Sequence, residues 1–152
     1  MVLSMDIDEI DVSILKEVQE DSKTSYRDIA KRLGLSVGTV HNRVKKMTEL
    51  GVIRNFAAVL DPEKLGFDLT ALILLQVEGV RIVEVEKTIA KSRSVLAVYD
   101  TTGDYDIVTV AKFKTREELN AFIKETLKMP YVKRSVTSIA LNVVKEDYRL
   151  NL

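Results

Sequence analysis

The fold of the N-terminal third is decided by one stretch, 25-SYRDIAKRLGLSVGTVHNRVKKMTELG-51. It contains two segments in which apolar residues recur at helical spacing, and only three residues lie between them. Ser25 and Ser36 stand where a side chain caps the start of a helix, and Gly34 and Gly51 stand where a positive φ ends one. A short helix, a tight turn with glycine and a longer helix predict a helix-turn-helix.

A further helix precedes this stretch. Apolar residues recur at helical spacing between Ile7 and Val18, so we expect a helix over residues 7–20. Asp6 or Asp8 is placed to cap its start, because a carboxylate there accepts hydrogen bonds from the unpaired N–H groups of the first turn. The first third of the chain is therefore expected to be a three-helix domain.

The third predicted helix has an apolar side and a polar side. At roughly 100° per residue, four apolar residues fall within about 80° of one another, and this stripe is expected to pack on the first two helices: Val37, Val40, Val44 and Met47. The other side carries small polar residues first and cations later, which suits base edges and phosphates respectively. The predicted DNA contacts are Ser36, Gly38, Thr39, His41, Asn42, Arg43, Lys45 and Lys46.

The distribution of charge favours the same interpretation. The whole chain has a net charge of zero, yet residues 1–21 carry a net charge of −6 and residues 22–54 a net charge of +6. A basic block of this size is what a binding site for a polyanion presents. A solvated helical surface explains such a block as well, and it is the tight turn that favours DNA as the partner.

The segment after Gly51 predicts the boundary between two domains. Residues 52–60 form an extended run that Asp61 and Pro62 end, so we expect a strand that serves as a wing or a linker. A brief helical turn is expected next. We therefore divide the chain into a helix-turn-helix domain, a linker strand with a turn, and a C-terminal domain, over residues 1–52, 53–66 and 67–152.

The last two-thirds alternate between strands and helices in the order βαββαβ. The expected strands cover residues 69–77, 95–101, 106–113 and 132–144, and the expected helices cover residues 82–91 and a segment that Thr115 caps. This order is the ferredoxin-like arrangement. The predicted fold class is α+β, with a winged helix-turn-helix domain followed by a ferredoxin-like domain.

The first of these strands has apolar residues on both faces. Alternation places five apolar residues of residues 69–77 on one face, but Leu72 and Leu74 lie on the other. Two helices cover only one face of a four-stranded sheet, so the second apolar face requires a partner. We expect a homodimer formed through these sheets, whose two-fold symmetry spaces two DNA-binding units along a duplex.

The composition excludes several classes of protein. The 152 residues include no Cys and a single His, which excludes disulfide scaffolds, thiol catalysis and multi-histidine metal centres. No P-loop or dinucleotide-binding glycine pattern is present, so we expect neither an enzyme nor a cofactor. No apolar stretch is long enough to span a membrane and no secretory signal is present, so we expect a cytoplasmic protein without membrane contact.

Four stretches of the sequence resemble the Lrp/AsnC family, also called the feast/famine regulatory proteins. In the N-terminal domain they are 7-IDEID-11, 29-IAKRLGLS-36 and 49-ELGVI-53. In the C-terminal domain, 101-TTGDYD-106 resembles the effector loop of that family. The resemblance covers nearly the whole chain, and the two halves stand in the family's order.

The resemblance implies a transcription regulator that forms dimers and often octamers, and that binds a small effector, usually an amino acid, near this loop. Backbone N–H groups around Gly103 suit the carboxylate of an amino acid, and Asp104 or Asp106 suits its ammonium. On spacing alone an ordinary hairpin turn is the commoner explanation, and the resemblance favours an effector site. The predicted effector contacts are Tyr99, Thr102, Gly103, Asp104, Tyr105, Asp106, Thr137 and Ser138.

Two interpretations of function remain open at this point. The favoured one is a sequence-specific DNA-binding transcription regulator whose assembly and DNA binding respond to an amino acid. The alternative is a metabolite-sensing module that acts through a protein partner, with the N-terminal helices as the docking site. The basic block of residues 22–54 argues against the alternative, because a protein dock does not require a positive surface.

Overall fold

A computed structural model describes residues 7–152 of the chain. The chain divides into two compact units. The first unit contains residues 7–59 together with Asp147–Leu152, and the second contains Leu60–Glu146. The division falls inside the predicted linker, and it groups the C-terminal residues with the helical unit rather than with the sheet.

Three helices form the first unit, as the sequence predicts. They are α1 (Glu9–Glu20), α2 (Tyr26–Leu33) and α3 (Val37–Glu49). The side chains of Asp8, Ser25 and Ser36 cap these helices by accepting hydrogen bonds from backbone N–H groups of the first turns. Asp6, the other predicted cap of α1, lies outside the described residues. Gly34 ends α2 with a φ of 67°, which confirms the predicted turn.

The core of the first unit joins all three helices. Its buried members are Ile14 and Val18 of α1, Ile29 and Ala30 of α2, Val40, Val44 and Met47 of α3, and Ile53. Val37 was predicted to belong to this stripe, but it is 47% exposed. It is the first residue of α3, and the buried part of the helix begins one turn later at Val40.

No strand forms over residues 52–60, so the expected linker strand is wrong. An extended backbone becomes a strand only when a neighbouring strand pairs with its N–H and C=O groups. The described residues offer no such neighbour to this segment. Ile53 alone is buried there, and its N–H donates a hydrogen bond of 3.1 Å to the carbonyl of Met47.

The C-terminal residues of the first unit are bound to the end of α1. The side-chain amide of Gln19 donates to the carbonyl of Leu150 at 2.7 Å and accepts from the N–H of Leu150 at 2.9 Å. Arg149 lies 3.3 Å from the carboxylate of Glu20. These contacts explain why the last residues belong to the helical unit.

The second unit has the predicted βαββαβ order. Its elements are β1 (Leu69–Val77), α4 (Ile82–Ile89), β2 (Val95–Asp100), β3 (Ile107–Phe113), α5 (Arg116–Leu127) and β4 (Val132–Ile139). The four strands form one antiparallel sheet in the order β2-β3-β1-β4. A short 3₁₀ helix over Glu63–Leu65 is the predicted turn before the domain.

The fourth strand ends at Ile139, five residues before the predicted end at Val144. Ile139 pairs with Ala71, and the N–H of Ala140 still donates 2.8 Å to the carbonyl of Thr70. β1 extends only two residues past Ala71, to Leu69, so a β4 that continued to Val144 would have no backbone to pair with. The apolar side chains of the next residues are therefore exposed instead of aligned in a sheet.

One face of the sheet packs on the helices and forms the core of the second unit. This face includes Ala71, Ile73 and Leu75 of β1, which pack with Val85 of α4 and Leu119 of α5. The other face, which we call the outer face, carries apolar residues on three neighbouring strands: Leu72, Leu74, Val108, Val110 and Val136. Leu72 is 39% exposed, so the second apolar face predicted from the sequence is present.

A buried cation borders the outer face. The ammonium of Lys112 donates 2.8 Å to the hydroxyl of Thr70 and lies 2.9 Å from the carboxylate of Glu146. This pair covers the end of the face that lies next to the start of β1.

Within residues 7–152, every helix is too short or too polar to cross a lipid bilayer.

Candidate nucleic-acid interface and effector loop

The third helix is held by its apolar stripe, and this decides which side chains are left on its surface. Val40, Val44 and Met47 are buried in the core of the first unit. Of the predicted DNA contacts, six are exposed, Thr39 is half-buried and Arg43 is half-buried. The six exposed residues are Ser36, Gly38, His41, Asn42, Lys45 and Lys46.

The first turn of α3 is fixed by its cap. The hydroxyl of Ser36 accepts a hydrogen bond of 3.0 Å from the N–H of Thr39 and lies 2.8 Å from the hydroxyl of Thr39. Gly38 is open: a methyl group built on it would meet only Ser36 Oγ, at 3.8 Å, which is an ordinary contact. Packing within this unit therefore does not require glycine at position 38.

His41 and Asn42 lie side by side on the exposed part of the helix. Nδ1 of His41 and Oδ1 of Asn42 are 3.4 Å apart, and the ring of Tyr26 on α2 meets the His41 ring edge-on at 6.0 Å. Tyr26 thereby limits the positions of His41, while the amide of Asn42 remains exposed. An amide in this position has the donor and acceptor that adenine recognition requires.

The cations of the later turns face solvent. Lys45 lies 3.8 Å from Glu49 in a pair whose members are both about two-thirds exposed. Exposed pairs of this kind contribute little to stability, so Glu49 does little to hold Lys45 in place. Lys46 is exposed one residue further along. These two residues continue the positive surface that the sequence predicts.

Arg43 lies differently from the other predicted DNA contacts. Its Nη1 is 2.8 Å from both carboxylate oxygens of Asp8 and 2.8 Å from Oδ1 of Asp11, so the side chain points to the start of α1. The hydrogen bonds from Arg43 lower the pKa of Asp8. The hydrogen bond to Asp11, and secondarily the hydrogen bonds to Asp8, raise the pKa of Arg43. The side chain of Arg43 is 26% exposed.

The loop between β2 and β3, residues 101–106, is held by its own hydrogen bonds. The N–H of Thr101 donates 2.9 Å to the carbonyl of Asp106, and the hydroxyl of Thr101 donates 2.9 Å to the carbonyl of Tyr105. Gly103 has a φ of 120°, a conformation that other residues rarely adopt. Thr102, Gly103 and Asp104 are exposed, so the tip of the loop is accessible.

Two further contacts bind the loop to the end of β1. One carboxylate oxygen of Asp106 accepts 2.7 Å from the N–H of Val77, and the amide of Gln76 donates 2.6 Å to the carbonyl of Asp104. The side chain of Asp106 is therefore engaged in holding the loop to β1, and Asp104 is the exposed acid of the loop. Gln76 was not predicted, although it is one of only two polar residues in β1.

The strand register separates the remaining predicted effector contacts. Thr137 pairs with Ile73 on the helix-covered face, whereas Ser138 pairs with Leu72 and lies on the outer face with Tyr99. The residue of β4 that lies opposite Gln76, next to the loop, is Arg134. One copy of the chain thus does not bring Thr137 and Ser138 to the same surface, nor either of them to the loop.

An unpaired acid lies beside the loop. Oε1 of Glu86 on α4 is buried without a hydrogen-bond partner. Burial, and secondarily the nearby charge of Asp100, raises the pKa of Glu86. Asp100 is the last residue of β2, directly before the loop.

Both units match known protein families. Residues 7–54 match a family model described as winged helix-turn-helix DNA-binding, and residues 70–150 match one described as the Lrp/AsnC ligand binding domain. An uncharacterized HTH-type transcriptional regulator of Pyrococcus furiosus is 48% identical over 146 residues, which cover 96% of this chain and 99% of the relative. The HTH-type transcriptional regulator FL11 of Pyrococcus abyssi is 40% identical over 97% of this chain and 98% of its own length.

Solved structures share the architecture of the whole chain. An AsnC family transcriptional regulator from Agrobacterium tumefaciens is 27% identical with a TM-score of 0.84, over 94% of this chain and 95% of the other. A transcriptional regulator of Neisseria meningitidis, solved as a complex with L-Met, is 25% identical with a TM-score of 0.83 over the same shares of the two chains.

Proposed function

The chain belongs to the Lrp/AsnC family of DNA-binding transcriptional regulators, and from this premise we propose that α3 reads a specific operator while an amino acid bound at the 101–106 loop controls that binding. The observation that carries the first part is the division of α3 into a buried stripe and an exposed polar face. The observation that carries the second is the accessible loop tip beside the engaged Asp106.

The proposed DNA contacts follow from the exposed face of α3. We expect Thr39 and Asn42 to reach base edges, because small polar side chains in the first turns of a recognition helix enter the major groove. We expect Lys45 and Lys46 to meet phosphates. The proposed contacts at the margin of this face are Ser36, Gly38 and His41.

Salt dependence tests the DNA contacts. A duplex selected by the protein from a random pool is bound at several salt concentrations, and log K is plotted against log salt. Lys45→Ala is expected to weaken binding and to reduce the slope by about one unit, because one phosphate contact is lost. Lys124→Ala on α5 is the matched control and should leave the slope unchanged. Asn42→Ala should alter sequence preference more than slope, and an absence of salt-sensitive binding would contradict the proposal.

The proposed effector site uses the loop tip. The backbone N–H groups around Gly103 suit a carboxylate, and the exposed carboxylate of Asp104 suits an ammonium, because Asp106 already accepts from Val77. The proposed remaining contacts are Tyr99, Thr102, Tyr105, Thr137 and Ser138, of which the last two belong to the site only if a second copy of the chain contributes one of them. The complex of the Neisseria relative with L-Met supports an amino acid as the class of ligand.

Calorimetry with the twenty amino acids tests this site. Asp104→Asn is expected to weaken binding of the best ligand by about tenfold, because a charge-assisted hydrogen bond becomes a neutral one. Asp68→Asn, at another exposed position of the second unit, is the control. Effector binding without any DNA affinity would favour a metabolite-sensing module that acts through a protein partner.

We further propose that a second copy of the chain covers the outer face, and that the resulting dimers assemble further, with an octamer as the expected species. Leu72, Leu74 and Val110 form a continuous apolar surface that water disfavours. Light scattering should give a dimer or a multiple of it, and Leu74→Asp should reduce the mass to that of one chain. A monomeric wild-type protein would contradict this part.

A further inference from the structure

Arg43 lies in the recognition helix, but its guanidinium contacts residues at the start of α1. It stands between Asn42, which is exposed, and Val44, which is buried. Its Nη1 contacts three carboxylate oxygens at 2.8 Å, two from Asp8 and one from Asp11. We call Asp8, Asp11 and Arg43 the triad.

The two acids of the triad are themselves held in place. The N–H of Asp11 donates 2.9 Å to Oδ1 of Asp8, and the N–H of Asp8 donates 3.1 Å to Oδ2 of Asp11, which is a reciprocal cap of α1. Asp11 is fully buried. A buried carboxylate that loses its cation is strongly destabilising, so Arg43 cannot leave Asp11 without a large cost.

The triad supplies a constraint that the apolar stripe lacks. The apolar contacts that Val40, Val44 and Met47 make with the other two helices are non-directional. They therefore tolerate small shifts of α3 and small rotations of α3 about its own axis. Hydrogen bonds between a guanidinium and carboxylates are directional and fix both distance and angle. The Arg43 contacts therefore fix the rotation of α3 relative to α1.

We propose that Arg43 is a positioning residue, which acts through Asp8 and Asp11 to set the direction in which Thr39 and Asn42 point, and that it does not contact DNA. This inference rests on the proposed DNA-binding function and replaces the sequence-based prediction of Arg43 as a DNA contact. The competing possibility is that Arg43 is a phosphate ligand that the two acids hold back. The two possibilities predict opposite responses to loss of an acid.

Asp8→Asn tests this difference with little disturbance of the fold, because asparagine caps a helix as well as aspartate does. Glu9→Gln is the matched control: it removes the same charge one residue away, from an exposed side chain. Binding is measured, at several salt concentrations, to a duplex selected by the wild-type protein and to a scrambled duplex of the same composition. Each variant then yields a ratio of the two affinities and a salt slope.

We expect Asp8→Asn to lower the ratio of the affinity for the selected duplex to that for the scrambled duplex by about tenfold, which is the discrimination that roughly one base contact provides. The plot of log K against log salt should not become steeper. Glu9→Gln is expected to leave the ratio within about twofold. An Asp8→Asn protein that binds the selected duplex as tightly as Glu9→Gln, or more tightly and with a steeper slope, would overturn the proposal. Tighter binding with a steeper slope would show that Arg43 is released towards phosphate.

Arg43→Lys provides a second variant that keeps the positive charge. All three contacts come from Nη1, which lies one bond further along the side chain than the ammonium of lysine, so we expect the affinity ratio to fall as in Asp8→Asn while the salt slope is retained. An unchanged ratio would overturn the proposal.

Hydrogen exchange of the free protein separates this inference from the proposed function. The α3 amides of Asp8→Asn should exchange faster than those of Glu9→Gln, and equal exchange would overturn the positioning role. If the wild-type protein selects no duplex, the proposed function fails, and this exchange measurement still decides whether the triad holds α3.

Discussion

The recognition helix and the effector loop use their polar groups in opposite ways. On α3 most of the structural work is done by apolar residues, with Ser36 and Arg43 as polar exceptions, so Asn42 and Lys45 remain exposed. In the loop the polar groups do that work, since Asp106, Gln76 and Thr101 hold the backbone together. The exposed polar residues of α3 are therefore binding candidates, whereas in the loop most of the polar groups are already engaged.

The largest effect is expected where the apolar stripe is broken. Met47 is fully buried, so Met47→Ala should lower the free energy of unfolding of the helical unit by about 2–5 kcal/mol. Val37→Ala on the same helix should change it by less than about 0.5 kcal/mol, because Val37 is exposed. Urea denaturation followed by circular dichroism measures both. Equal losses would mean that the stripe does not hold α3.

A smaller effect is expected in the loop, where two acids two residues apart should behave differently. Asp106→Ala leaves the N–H of Val77 without its acceptor and should lower the free energy of unfolding by roughly 1–3 kcal/mol. Asp104→Ala should leave stability within about 0.5 kcal/mol while weakening effector binding. Denaturation and calorimetry on the same samples give both quantities. Effector loss without destabilisation in Asp106→Ala would contradict the assignment of Asp106 to the loop.

The smallest effect concerns the acid beside the loop. Because burial raises the pKa of Glu86 in the folded state, this group favours folding when it is protonated, and its contribution is lost as the pH rises through that pKa. Glu86→Gln should therefore increase stability at pH 7 by less than about 1 kcal/mol and have little effect near pH 4. Urea denaturation at the two pH values measures the difference. An equal change at both would exclude ionisation of Glu86 as the cause.

The features that the sequence predicted well depend on neighbouring residues alone. The caps at Ser25 and Ser36 and the turn at Gly34 are local, because each is decided within one helical turn. The order of strands and helices in the second unit was also correct, since each element carries its own periodicity.

The features that the sequence did not predict depend on distant partners. The end of β4 is set by where β1 begins, and residues 52–60 are not a strand because no neighbour pairs with them. Arg43 is engaged by Asp8, which lies 35 residues earlier in the chain. Thr137 and Ser138 are an instructive case, because successive residues of a strand face opposite sides and the sequence alone already separates them.

The attachment of the last residues to α1 has a practical consequence for dissecting the protein. The chain passes between the two compact units at residues 59–60 and again at residues 146–147. A fragment that stops at residue 59 retains all three helices but leaves the amide of Gln19 without the backbone of Leu150. An isolated DNA-binding fragment that preserves these contacts needs residues 147–152 rejoined through an engineered linker.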